Sequence, residues 1–257
     1  MTSYGRRLTA LTLGGLLAAC SSTTASMPAE DVAPEQAPME SAPMSAPISE
    51  APTYRPEGDS YTLALLRVDD VLHVASREEL TTLSKGHASF MQEMGADGDL
   101  LARGPIVPPR VEEDLRSLFL VDSQDPSLVE DRLCADPAVE AGLFGVEAMS
   151  FVTQADLQDL AGLERAVRME RGAQALRPYV LVSAPSAPEM TATLDQMDEV
   201  VILYGHCTSG SLEGSTLAIL DCSTIDEARQ AMGAIGPDAE SFDYHAWVAS
   251  LAIAELD

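Results

Sequence analysis

Four histidines, four cysteines and fifteen basic side chains are the material from which this chain of 257 residues must build any reactive site. His73, His87, His206 and His245 fall at no HxxxH-type spacing and the cysteines form no CxxC pair, so neither a zinc site nor any other cofactor site is expected. Ser209-Gly210-Ser211 and Gly214-Ser215 have the composition of a phosphate cradle, but no lysine-bearing loop pattern follows and no helix starts there. A polar hairpin turn is the expected form. Arg67, Arg103 and Arg116 stand at the ends of strand candidates, where guanidinium forks suit an anionic ligand. The alternative is that they balance neighbouring Asp and Glu. Trp247 and Tyr244 are expected to pack the last strand into the core rather than stack on a ligand.

The surroundings of these residues are strongly acidic. Fifteen Lys and Arg face 41 Asp and Glu, a formal charge of −26, which excludes a nucleic-acid binder because that function needs a basic footprint. The long apolar run lies at the start, where Arg6 and Arg7 precede Leu8 to Leu17. That order predicts an export signal over residues 1–20. Its last four residues, Leu17-Ala18-Ala19-Cys20, resemble the bacterial lipobox, and the resemblance implies cleavage before an acylated Cys20. Ser21 stands where an inner-membrane lipoprotein usually carries Asp, so the resemblance places the mature chain on the periplasmic face of the outer membrane, with the lipid bilayer as partner. With Cys20 so used, Cys134, Cys207 and Cys222 leave an odd number of thiols, expected to be mostly buried and free.

Residues 21–59 contain seven prolines and no helical or strand period, and read as a disordered tether. A flexible coil of that length reaches about 35 Å. From residue 60 onward 12 basic residues face 34 acidic ones, so the acidity belongs to the folded part. Strand patterns at Tyr61–Arg67, Asp99–Gly104, Leu115–Asp122 and Gly142–Val152 enclose helical patterns at Ser76–Gly95 and Pro126–Cys134. Ser76 and Glu79 have the spacing of a capping box. This β-α-β-β-α-β order is the ferredoxin-like split unit. It returns with strands at Tyr179–Ala184, Glu199–Cys207, Ser215–Asp221 and His245–Leu256, and helices at Glu189–Met197 and Thr224–Met232. Leu157, Leu160, Leu163 and Val167 mark a linker helix. The expected organisation is repeat 1 over 60–154, the linker over 155–177 and repeat 2 over 178–257. The expected fold class is α+β, two tandem ferredoxin-like repeats whose sheets cover each other as an intramolecular dimeric α+β barrel. A monomer with pseudo-dimeric repeats is expected.

One more pattern concerns the first repeat. The strand YTLALLR, His87 within KGHASFMQEMGADGDLLARGP, the pair Gly104-Pro105, and Asp136-Pro137 followed by Ala141-Gly142-Leu143-Phe144 occur in the order of a YCII-related (YciI-like) domain, which Tyr61 to about Phe151 resembles. The second repeat keeps the hairpin but has no counterpart of His87 or of Asp136-Pro137. Gly205-His206 sits where Gly104-Pro105 does, so this copy looks degenerate. The resemblance implies a catalytic pair, His87 and Asp136, in a cleft near Gly104 and Pro105, with proton-transfer chemistry of lyase or isomerase type on small compounds, aromatic ones included. An imidazole with its ordinary pKa of about 6.5 can give or take a proton at neutral pH, and a carboxylate on its other nitrogen fixes the tautomer. The alternative function is a non-catalytic module of the cell envelope that binds a small molecule or another protein.

Overall fold

Both faces of the strands are apolar, and the fold uses both. In β1 (Asp59–Val68), Tyr61, Leu63 and Leu65 join one buried cluster while Ala64 and Leu66 join another. Two-sided burial explains the continuous apolar run where a surface strand would alternate. The computed structural model describes residues 57–68, 76–172, 175–233 and 237–256. The export signal with Cys20, nearly all of the tether, and His73 lie outside them. Among the described residues no helix is long and apolar enough to cross a membrane.

The other strands are β2 (Leu100–Val107), β3 (Leu115–Val121), β4 (Phe144–Thr153), β5 (Leu176–Pro185), β6 (Val201–Cys207), β7 (Ser215–Leu220) and β8 (Asp243–Ser250). The helices are α1 (Arg77–Asp97), α2 (Pro126–Leu133), α3 (Pro137–Glu140), α4 (Leu160–Arg171), α5 (Pro188–Leu194) and α6 (Ile225–Met232). The strands close into one antiparallel barrel in the ring order β1-β3-β2-β8-β5-β7-β6-β4. Each half of the ring, β4-β1-β3-β2 and β6-β7-β5-β8, is a run of four strands. Read from opposite ends, β4-β1-β3-β2 and β8-β5-β7-β6 place their strands in the same internal order. The chain is thus an α+β protein built on an eight-stranded barrel.

Three cores follow from this closure. Inside the ring pack Leu63, Leu118, Phe151, Tyr179, Leu217 and Trp247 with their neighbours. Leu157 and Leu160 at the entry to α4, and Ala252 and Ile253 of the final 3-10 turn, join the same core. The Leu157 N–H donates to Tyr61 Oη at 3.4 Å, and the Tyr179 hydroxyl donates to the Ser250 carbonyl at 2.7 Å. Outside the ring, α1 and α2 cover β1 and β3 through Met91, Met94, Val129 and Leu133. On the opposite half α5 and α6 cover β5 and β7 through Met190, Leu194, Ala228 and Met232.

The halves meet at two short seams. Ile106 and Val107 pair with Trp247 and Ala246 at one, and Phe151 and Val152 with Cys207 and His206 at the other. A glycine permits each approach. A Cβ on Gly104 would stand 2.0 Å from the Val248 carbonyl oxygen, and one on Gly205 would stand 2.4 Å from Phe151 Cζ. Trp247 Nε1–H also donates to the Gly104 carbonyl at 3.0 Å, and Trp247 and Tyr244 are fully buried.

Sequence expectation and structure differ at three places. The last strand ends at Ser250 rather than Leu256, because the Ser250 hydroxyl accepts from Ala252 N–H and caps a 3-10 turn over Leu251–Glu255. The second strand continues through Gly104 and Pro105 to Val107, since β8 offers Ile106 and Val107 a partner from the other half. A one-turn helix, α3, follows Asp136, where Pro137 occupies its first position. The thiols are mostly buried, as expected: Cys207 and Cys222 are buried, and Cys134, at the C-terminus of α2, is exposed. Burial pushes the Cys207 thiol up to about 12, and burial beside Glu227 pushes Cys222 up to about 11.

Candidate functional site

The site begins with two helix starts. Ser76 accepts from Glu79 N–H while Glu79 accepts from Ser76 N–H, a capping box that fixes where α1 begins and therefore which way its residues face. Asp136 caps α3 with one oxygen, Oδ1 accepting from Ala138 N–H at 2.8 Å. Where α1 crosses α3 it does so at Gly86, whose missing Cβ would stand 3.1 Å from the Pro137 ring. The next residue, His87, then reaches the other oxygen. His87 Nδ1 lies 2.5 Å from Asp136 Oδ2. The helix cap and the partner of the imidazole are thus the same carboxylate.

Exposure divides the pair. The Asp136 side chain is 1% exposed and that of His87 is 27% exposed, so the carboxylate is sealed while the imidazole stays reachable. A carboxylate only accepts, so the neutral imidazole must carry its proton on Nδ1, and Nε2 is left with a free lone pair. Phe144, the first residue of β4, flanks the imidazole with ring centroids 6.3 Å apart.

His87 opens on a cleft of about 860 Å³ bounded by α1, β2, β3 and α4, with Leu176 of β5 and Val248 and Ser250 of β8 also in its lining. That is the size range of small-molecule sites. Met91, Leu100, Leu101 and Phe119 give it apolar walls. Its charged lining is Arg103 from β2 with Glu164, Arg165 and Arg168 from α4, three arginines against one glutamate on a chain of −26. The local sign is therefore the reverse of the global one. Burial lowers the Arg103 pKa from its ordinary value, and Arg168 nearby lowers it further while Glu164 acts against both. Glu164 Oε1 accepts from Arg168 Nε at 3.1 Å and from Arg168 Nη2.

Of the sequence candidates, His87, Arg103, Gly104 and Pro105 line this cleft, with Asp136 directly behind His87. Arg67 and Arg116 do not line it. Arg67 instead meets Glu112 at 2.5 Å, Asp114 at 3.2 Å and Glu147 at 3.7 Å. Burial pulls its pKa down, but Glu112 and Asp114 outweigh it and hold the value above the ordinary one. Arg116 donates to the carbonyls of Glu113 and Leu115. Charge balance, the alternative reading of these arginines, describes Arg67 and not Arg103.

The remaining described histidines are buried. His206 Nδ1 lies 3.1 Å from Ser186 Oγ and 3.0 Å from Thr216 Oγ1, and burial lowers its pKa. His245 Nε2 stands 4.0 Å from Glu112, and its Nδ1 is buried without a hydrogen-bond partner among the described residues. Among the described residues no group of three or more His, Cys, Asp and Glu is placed to hold a metal ion.

Sequence reasoning missed Glu164, Arg165 and Arg168. The apolar stripe that marks α4 was legible, but the stripe beside it, Ala161, Glu164, Arg165 and Arg168, has the same i, i+3, i+4, i+7 spacing and forms the cleft wall.

No family model matches the chain, and no curated protein matches it. Among solved structures it is similar to a mutant chlorite dismutase from Candidatus Nitrospira defluvii in complex with cyanide, at 14% identity and a TM-score of 0.47, over 77% of this chain and 92% of that one. A heme-binding protein from Thermus thermophilus aligns at 11% identity and a TM-score of 0.45, over 74% of this chain and 90% of that one. The siroheme decarboxylase NirDL aligns at 13% identity and a TM-score of 0.40, over 74% of this chain and 71% of that one.

Proposed function

We propose that the chain binds a small anionic compound in the cleft between α1, β2 and α4, and that His87, held by Asp136, exchanges a proton with it. The observation that carries this reading is that His87 and Arg103 open on one cleft whose charged lining opposes the sign of the whole chain. Arg103 receives the anionic group. His87 Nε2 accepts a proton from the bound compound, and the imidazolium so formed is stabilised by the sealed Asp136 carboxylate. Return of that proton to a different atom is an isomerisation, and loss of a leaving group in its place is an elimination, which are the two classes of lyase and isomerase chemistry open to the pair.

The finer assignments belong to the same proposal. The shared strand order of the two half-rings supports tandem ferredoxin-like units in the manner of a dimeric α+β barrel, the first of them YCII-related and bounded near residues 60 and 154. The sequence Leu17-Ala18-Ala19-Cys20 supports a lipid anchor and an envelope location. A membrane fraction that loses the protein on Cys20→Ser is the expected result there, and unchanged fractionation refutes it.

The test of the site is a titration of the protein with benzoate, read at the His87 ring signals by NMR. These signals shift in the wild type and stay fixed in Arg103→Gln. Binding that leaves His87 unmoved overturns the proposal. In D2O, the proton-exchange rate of a small keto acid such as phenylpyruvate falls in His87→Gln by about 100-fold, the low end of what a positioned base contributes.

A second reading takes His87 as a ligand. An imidazole whose Nδ1–H is held by a carboxylate is also a strengthened metal ligand at Nε2. An iron tetrapyrrole would be held there by His87 at its metal, with Arg103, Arg165 and Arg168 available to its carboxylates. Such a group would supply redox or Lewis-acid chemistry. Hemin added to the protein then gives a shifted Soret band in the wild type and not in His87→Ala.

A further inference from the structure

In so acidic a chain most of the described arginines meet a carboxylate. Arg67, Arg132, Arg168, Arg171, Arg177 and Arg229 each pair with one. Arg103 and Arg165 do not, and both line the cleft. Neither has an ion-pair or hydrogen-bond partner among the described residues, although the chain holds 41 acidic side chains. Arg103 stands half-buried on β2, yet none of its nitrogens is among the sealed atoms that lack a partner, so its guanidinium stays open to solvent. Burial and the charge of Arg168 both act against the charge of Arg103, and a guanidinium cannot relieve this by losing its proton. Arg165 is exposed on α4, which packs against β2. Because Glu164 neutralises Arg168, the charged lining is left with two uncompensated positive charges, one on each of two walls.

We infer that the cleft takes a small dicarboxylate, with one carboxylate for Arg103 on the strand wall and the second for Arg165 on the helix wall. This deepens the reading of the cleft as an anion site and rests on it. Two carboxylates match two unpaired forks in charge and in shape, since a guanidinium offers parallel N–H donors to the two oxygens of a carboxylate. The long-range field works the other way. On a chain of −26 a second negative charge on the ligand is repelled, so a preference for the dianion has to arise from groups in the cleft itself. Because the two arginines sit on different elements, the spacing of the carboxylates is selected as well as their number.

The experiment compares benzoate with phthalate, isophthalate and terephthalate, which hold a second carboxylate at three distances from the first, and with phenyl phosphate, which carries both charges on one group. Binding to the full chain is read by calorimetry, with His87 ring signals recorded in parallel. In the wild type the best dicarboxylate binds at least about 10-fold tighter than benzoate, the scale of one added hydrogen bond between charged groups. In Arg165→Gln that ratio falls to about 2-fold or less, as expected when the second carboxylate has lost its partner. Arg171→Gln removes the same charge from the same helix at a residue outside the cleft lining, and there the ratio holds. Both arginines are exposed, so neither change touches the core. A fall of equal size in Arg171→Gln is a field effect and overturns the inference, as does a ratio that persists in Arg165→Gln. Phenyl phosphate binding tighter than every dicarboxylate overturns the two-group form. Equal binding of benzoate and the dicarboxylates with His87 shifted overturns the second carboxylate and leaves the anion site standing. Absence of binding by every acid overturns the anion-site reading and this inference together.

Discussion

Replacing Asp136 by Asn separates the two jobs of one carboxylate. Asn caps helices about as well as Asp, so Oδ1 keeps the Ala138 N–H seen at 2.8 Å. The amide then turns its NH2 toward His87, and Nδ1 must become an acceptor. The imidazole proton moves to Nε2, the nitrogen not engaged by residue 136. What is lost in stability is the difference between a charge-assisted hydrogen bond and a neutral one, about 1 kcal/mol. For a domain of this size that lowers the melting temperature by about 2–4 °C. Asp136→Ala removes both bonds from a side chain that is 1% exposed. Its cost is about 3 kcal/mol, made of about 1 for the cap and about 2 for the histidine contact. The assay is a long-range proton–nitrogen correlation of the imidazoles, with His87 assigned by its disappearance in His87→Gln. Wild type shows the Nδ1–H form and Asp136→Asn the Nε2–H form. An unchanged tautomer, or equal melting of Asn and Ala variants, refutes the argument that the pair shares one sealed carboxylate.

Burial also predicts how stability follows pH. His206 and His245 both have lowered folded pKa values, by burial first and, at His245, with Arg67 adding to it while Glu112 and Asp243 oppose. Below their unfolded value of about 6.5 the unfolded chain binds more protons than the native one, so stability is full above that pH and falls as the pH drops toward the folded values. Denaturant midpoints at about pH 7 and 5 differ less in His245→Gln than in wild type, and an unchanged difference counts against the sign. At the seams, Gly104→Ala and Gly205→Ala force contacts of 2.0 and 2.4 Å and each destabilise by about 3 kcal/mol or prevent folding, whereas Gly145→Ala, with nothing within 4 Å, changes the midpoint little. Equal midpoints for all three would show that the seams are not tight. In a Cys20→Ser chain one thiol, Cys134, reacts with a disulfide reagent under native conditions, while Cys207 and Cys222 react only on unfolding. Fast reaction of all three refutes their burial.

Legibility in the sequence followed the range of the forces involved. Local signals were readable: the Ser76 and Glu79 capping box and the Thr224 cap of α6 lie where spacing predicts them, and each apolar run forms a strand, though the second and the last end elsewhere than expected. The meeting of His87 and Asp136 is non-local, 49 residues apart, and came from motif order rather than from periodicity. Arginines were harder. Arg67 and Arg103 have the same type and the same place near a strand end, and only the fold decides that Glu112, Asp114 and Glu147 converge on the first and none on the second. The cleft wall was hidden for a different reason. An amphipathic helix announces its apolar side, and the polar side reads as solvent-facing until a second surface is known to stand opposite it.

Closing the ring inside one chain has a consequence for how the halves can change. A barrel assembled from two identical subunits depends on concentration and carries every substitution twice. Here the four strands β6-β7-β5-β8 are always at hand for β4-β1-β3-β2, so closure does not wait on a collision. Each half also mutates alone. One has filled the space under its helices with Met190, Leu194, Ala228 and Met232, while the other keeps a cleft open against its longest helix. Division of labour between scaffold and receptor is what a single reading frame permits and a symmetric pair forbids.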